Sequence, residues 1–164
     1  MQTKRVPIES VSLDPANTRK HGARNLDAIK ASLQAFGQQH PIIVDSRGIV
    51  LAGNGRLMAA KALGWTHIEI IQTELEGSEA VAFAIADNRT AELAEWDSEA
   101  LATTLAALQN DEEFDHLVAG FTDAEIEALV NAAVFEPGTL DDQGRLDEKS
   151  PIECPHCGME FVPK

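Results

Sequence analysis

Apolar and polar positions follow readable periods along the first 92 residues. Val6, Ile8 and Val11 come close enough to alternation to predict a short strand over 6–11, and Asp14-Pro15-Ala16-Asn17 reads as a turn. Ala28, Ile29, Leu33 and Phe36 recur at helical spacing between an N-cap at Asn25 and a stop at Gly37. Pro41-Ile42-Ile43-Val44-Asp45 is a β-branched strand, Ser46-Arg47-Gly48 turns the chain, and Ile49-Val50-Leu51 returns as the second arm of a hairpin. Leu57, Ala60 and Leu63 then share one face of a helix that opens at Gly53 and closes at Gly64. His67 to Ile71 alternates as a further strand. A helix through Ala80 to Ile85 is predicted to end near Asp87-Asn88-Arg89.

The order strand, helix, hairpin, helix, strand, helix predicts an α+β unit: a small mixed sheet with helices packed on it. Beyond residue 92 the pattern is purely helical. Asp97 or Ser98 caps a segment through Leu101, Leu105 and Leu108, and Thr122-Asp123-Ala124-Glu125 forms a capping box before Ile126, Leu129 and Val130. Residues 136–150 carry Pro137, Gly138, Asp141, Asp142 and Gly144 without apolar periodicity and read as a flexible linker. The predicted organisation is therefore a domain at 1–92, an acidic helical extension at 93–135, a linker at 136–150 and a cysteine-bearing tail at 151–164.

Charge sharpens this division. Of the net −14, almost all lies late in the chain: residues 1–91 hold ten Lys and Arg against nine Asp and Glu, whereas 92–164 hold three against eighteen. Nucleic-acid affinity comes largely from basic side chains neutralising phosphates, so direct DNA binding by this chain alone is disfavoured. The acidic part can dock a basic partner or simply solvate the surface. Apolar residues make up 44% of the chain with no Tyr, so Leu, Ile, Val and Ala must build the core. No run approaches the 18 or so apolar residues of a membrane span, and Met1 to Arg5 lacks the apolar stretch of a secretory signal, so a cytoplasmic location is expected.

Chemistry concentrates at Leu51-Ala52-Gly53-Asn54-Gly55-Arg56, where a strand ends in a glycine turn and a helix begins. A helix N-terminus presents unpaired N–H groups and partial positive charge, glycines let an anion approach the backbone, and Arg56 adds a bidentate donor suited to phosphate oxygens. The same spacing also accommodates an ordinary strand-to-helix turn in which Arg56 is solvated or pairs with a carboxylate. Asp14, Asp45 and Asp87 are the carboxylates from which an acidic metal site of the nuclease kind would have to be built. His21, His40 and His67 stand at no metal-ligand spacing and read as surface or edge residues, and Trp65 and Trp96 as core or interface anchors.

The stretch Gly53-Asn54-Gly55-Arg56-Leu57-Met58-Ala59-Ala60-Lys61-Ala62-Leu63-Gly64 resembles the ParB-type signature Gly-Glu-Arg-Arg-x-x-Ala-Ala-x-x-x-Gly of the ParB/sulfiredoxin superfamily. Pro15, Asn17 and Arg19 are similar to that family's Asn-Pro-Arg segment, Phe36 to Ile42 to its Gly-x-x-x-Pro-Ile turn, and Asp87-Asn88-Arg89 to its Glu-Asn segment. Glu95-Trp96-Asp97 and Gly120-Phe121-Thr122 further resemble ParB-like modules of phage and mobile elements that precede DNA methyltransferases. The resemblance implies a nucleoside triphosphate, CTP or ATP, bound with magnesium. Gly53, Asn54, Gly55 and Arg56 would hold phosphates, with Arg19 and Arg89 counted alongside them. Asp87 or Asn88 would approach the magnesium ion, and Gln39 the base or sugar. It also implies a regulatory or adaptor role in phage or plasmid DNA metabolism, with a DNA-modifying or DNA-packaging partner and room for a homodimer. The alternatives are a nuclease or nucleotide-dependent kinase of the same fold, or a partner-binding module with a degenerate pocket.

Departures from the signature narrow these expectations. Asn54 stands where the family has Glu and Gly55 where it has the first Arg, and one lost charge-assisted contact weakens affinity about ten- to a hundredfold. The loop holds no cysteine, which sulfiredoxin chemistry requires, and residues 93–135 contain no Lys or Arg for a DNA-reading helix-turn-helix. The tail's Cys154-Pro155-His156-Cys157-Gly158 is a knuckle of the zinc-ribbon kind, offering two of the four ligands zinc takes. A second chain, His116 or His156, or a partner protein would have to complete it.

Overall fold

The computed structural model describes residues 2–111, 115–134, 152–153, 156–157 and 159–161. The chain forms two compact units, Met1–Ala133 and Val134–Lys164. In the first, a four-stranded mixed sheet is built from β1 (Thr3–Pro7), β2 (Ile42–Val44), β3 (Val50–Ala52) and β4 (His67–Gln72) in the order β1-β4-β2-β3. β4 runs antiparallel to β1 and parallel to β2, and β2 and β3 form the predicted hairpin. Helices α1 (Ala23–Phe36), α2 (Asn54–Ala62), α3 (Gly77–Glu92), α4 (Ser98–Gln109) and α5 (Asp123–Val134) complete this unit.

The apolar periods account for the core. Ile42, Val44 and Val50 from the hairpin meet Ile68 and Ile70 from β4, Leu33 from α1 and Leu57, Ala59 and Ala60 from α2. β4 alternates exposed and buried residues from His67 to Ile70, as a strand packed on one face must. β1 begins three residues earlier than the pattern suggested and ends at Pro7, after which Ile8–Ser10 is a single turn of 3-10 helix. β1 is an edge strand, where a residue without an N–H is tolerated, and the turn drives Ile8 and Val11 into the core.

Two helix boundaries also correct the sequence reading. α1 is preceded by Gly22 rather than capped by Asn25, whose side-chain Oδ1 instead stands 2.8 Å from Nδ1 of His21. α3 continues to Glu92, so Asp87, Asn88 and Arg89 lie inside the helix and not at its end. The later helices follow expectation. Asp97 accepts from the Ala100 N–H at 3.0 Å, and the Thr122 hydroxyl and Glu125 carboxylate cap each other's backbone N–H groups.

α5 is tied to α1 by Arg24, whose guanidinium donates to both carboxylate oxygens of Glu125. The Arg24 guanidinium, followed by the Thr122 N–H and hydroxyl, lowers the Glu125 carboxyl to about 2. A carboxyl lowered by folding stabilises the native state above its unfolded value, near 4.5, and loses that contribution as pH falls towards 2. Glu125→Gln is accordingly expected to be less stable than wild type near neutrality and to converge with it only as pH falls to about 2, as read by denaturant midpoints across that range. The pair is solvent-exposed, so the difference is small.

In the second unit, Ile152–Glu153 and Glu160–Phe161 pair as antiparallel strands β5 and β6. The predicted linker at 136–150 lies outside the described residues. Among the described residues no helix is long and apolar enough to cross a membrane.

Candidate functional site

The strand-to-helix junction after β3 is shaped by Gly53. Its φ of 105° and ψ of 24° turn the chain sharply, and its carbonyl accepts the first helical bond of α2 from the Leu57 N–H at 3.0 Å. The N–H groups of Asn54, Gly55 and Arg56 therefore precede the first turn's bonding and have no partner within the helix. These residues line a cavity of about 460 Å³ closed by the segment before α1, by α1 itself, by the Gly37–His40 turn and by α3. That volume lies in the range of small-molecule and cofactor sites.

Arg56 is the dominant charge at this junction. Its Nη1 donates to the carbonyls of His40 at 2.8 Å and Pro41 at 3.2 Å, which folds the guanidinium back over Gly53. The group still carries Nη2 and Nε as donors. Burial lowers its pKa from the ordinary value, and the Asp87 carboxylate opposes that shift. Asp87 thus acts across the cavity on Arg56 from α3.

The other residues expected at the site divide clearly. Arg19, Gln39 and Asn88 line the cavity together with Gly53, Asn54, Gly55, Arg56 and Asp87. Arg89 is not among the lining residues: it sits on the exposed side of α3 and pairs with Glu92 at 3.4 Å. Glu92 also pairs with Arg19, so one carboxylate holds both arginines at the end of α3. Asn54 is buried, and its Oδ1 accepts the Asp14 N–H at 3.1 Å, so its side chain fixes the preceding loop through the oxygen and leaves Nδ2 and the backbone N–H as donors. Asn88 donates Nδ2 to the Ala84 carbonyl of its own helix at 2.8 Å, leaving its oxygen. Gln39 donates Nε2 to the Phe36 carbonyl and so caps the end of α1.

The three aspartates do not assemble. Asp45 is buried in the hairpin turn. Burial opposes its ionisation, yet the Ile49 N–H at 2.8 Å, the Arg47 guanidinium and the Arg47 N–H together hold its carboxyl below its ordinary value. Asp14 accepts from the Ala16 N–H at 2.8 Å and lines a separate groove with Asp45, while Asp87 lines the cavity. Among the described residues no group of three or more His, Cys, Asp and Glu stands ready to hold a metal ion. Cys157 is exposed; Cys154 and the side chain of His116 lie outside the described residues.

Two histidines read from the sequence as surface or edge residues also line the cavity: His40, which is exposed, and His21, which is half-buried. Val118 and Ala119 close another wall from the 3-10 turn before α5. His40 lies within the Phe36 to Ile42 turn already singled out, and His21 shares the segment of Asn17 and Arg19; nothing local marks Val118 or Ala119.

The ParB N-terminal domain family model matches residues 1–89. The chain belongs to the ParB N-terminal domain family. A relative from Escherichia coli strain K12, the ParB-like nuclease domain-containing protein YnaK, is 31% identical over 65 residues, covering 40% of this chain and 75% of that protein. Among solved structures, the C-terminally truncated chromosome-partitioning protein ParB from Caulobacter crescentus, complexed with CTP-γ-S, superposes with a TM-score of 0.66 at 20% identity, covering 79% of this chain and 77% of that one. This likeness extends the ParB fold past the family match into the helices beyond residue 92. Sulfiredoxin from Arabidopsis thaliana aligns with a TM-score of 0.43 at 19% identity over 52% of this chain and 98% of its own.

Proposed function

We propose that this ParB-like chain binds a nucleoside triphosphate, CTP or ATP, with its phosphates at the N-terminus of α2, and that binding regulates contacts with a partner in phage or plasmid DNA metabolism. The observation that carries this reading is the convergence of three unbonded helix N–H groups, Arg56 and Arg19 on one cavity of about 460 Å³. Anionic oxygens are the natural complement of that set. The CTP-γ-S complex of a ParB of the same fold is in accord with it.

Magnesium fits the residues present. Asp87 and the free oxygen of Asn88 are hard donors on the wall facing Arg56, and this ion is commonly held by one or two carboxylates together with phosphate oxygens. Bound there, it would neutralise phosphate charge. Among the described residues Asp87 is the one carboxylate in the cavity lining, which favours a binding role over a nuclease centre built on clustered acids.

A panel of nucleoside mono-, di- and triphosphates with magnesium tests the reading by thermal shift. A triphosphate present at about a hundred times its Kd is expected to stabilise the fold by about 2.7 kcal/mol, a shift of several degrees. Failure of every nucleotide to raise the melting temperature would leave the pocket without its proposed ligand.

A further inference from the structure

Gly55 stands in the first turn of α2, where glycine is a poor helix former and a packing reason for it is wanted. The reason is His21. A Cβ placed on residue 55 would lie 2.7 Å from Cε1 and 2.9 Å from Nδ1 of the His21 ring, and 2.9 Å from Cδ1 of Ile29. The imidazole, delivered from the segment before α1, thus occupies the space into which a side chain at 55 would start. It lines the same cavity as Arg56, and Asn25 holds it in place through Nδ1 at 2.8 Å.

We propose that His21 is a phosphate contact of this pocket, supplying through Nε2 the positive charge that Gly55 cannot. The proposal rests on the nucleotide reading above. Its chemistry follows from the hydrogen bond at Nδ1. The Asn25 side-chain oxygen accepts, so Nδ1 carries a hydrogen, and in the neutral ring Nε2 is then a lone pair that cannot bond phosphate oxygens, themselves acceptors. Only the imidazolium can donate from Nε2. Protonation of His21 and phosphate binding therefore favour each other. Among the described residues, the other charged and titratable groups lining the cavity are Arg19 on the same segment, His40 after α1, Arg56 on α2 and Asp87 on α3. Of these, the two arginines keep their charge across the pH range in which histidine titrates.

Titration calorimetry of CTP with magnesium into the full chain at about pH 6 and about pH 8 tests this, since a histidine changes charge between them. Wild type is expected to bind about tenfold more tightly at the lower pH, the scale of one charge-assisted contact, and His21→Gln to bind at both with about the weaker affinity. The nucleotide's own terminal phosphate titrates in the same window but does so for both proteins, so the difference between them belongs to His21. A second measurement needs no variant at the assay stage: by linkage, saturating CTP should raise the His21 ring's NMR titration midpoint by about one pH unit in wild type. A His21→Gln protein that keeps the full pH ratio, or a midpoint unmoved by CTP, overturns the proposal while leaving the pocket in place. No CTP binding by wild type at either pH overturns the pocket and His21 together.

Discussion

Arg56→Ala is expected to weaken triphosphate binding about a hundredfold while lowering stability by about 1 kcal/mol. The two effects separate because the guanidinium does two things. Its Nη1 holds the carbonyls of His40 and Pro41, and both residues are accessible enough for water to replace a lost donor, which keeps the folding cost to that of an ordinary hydrogen bond. Its remaining donors lie against the α2 N-terminus, where the proposed bidentate, charge-assisted contact with phosphate would be lost entirely on truncation. Arg56→Lys should fall between, since an ammonium keeps the charge but cannot serve the two carbonyls and a phosphate in one planar fork. Calorimetry gives the affinities and thermal melts the stability. An alanine variant binding within about threefold of wild type would show that Arg56 is a structural brace and that phosphate is held elsewhere.

The sheet and the site differ in how far the chain alone discloses them. The hairpin of β2 and β3, the start of α2 at Gly53 and the alternation in β4 are local signals, and the structure places all three as the pattern does. The end of α3 misleads because Asp and Asn often leave helices, yet no Gly or Pro follows Asn88 and the backbone continues to Glu92. The same signature that points to Asn54 as a phosphate contact conceals its structural bond to the Asp14 N–H, because pairing residues 14 and 54 needs the fold. His21 against Gly55 and Val118 across from α1 are likewise products of tertiary packing, invisible to any window of sequence. What the sequence does disclose is where anion chemistry can occur; which side chains surround the anion is decided by chain crossings.

Those crossings also constrain Gly53, and Gly53→Val is expected to cost about 3–5 kcal/mol of folding stability, close to the whole stability of a marginal domain. Two terms add. At φ 105° a β-branched residue is strained by about 1–3 kcal/mol, because its Cβ and the neighbouring carbonyls crowd one another. The added carbon would then stand 3.2 Å from Cγ1 of Ile42 and 3.5 Å from Nε of Arg56. Ile42 is fully buried between sheet and helix and has nowhere to move, so the methyl groups of valine bring an overpacking cost of about 1–3 kcal/mol. Gly64 isolates the first term: its φ is 74° but nothing lies within 4 Å of its Cβ position, so Gly64→Val should show the strain alone. Equilibrium unfolding in urea measures both. If the two variants lose equal stability, the contact with Ile42 carries no energy and the tightness of the junction is not what sets Gly53. If Gly53→Val loses clearly more, the glycine is fixed by packing as well as by backbone, and the same substitution, by pressing on Arg56, should weaken triphosphate binding in whatever fraction remains folded.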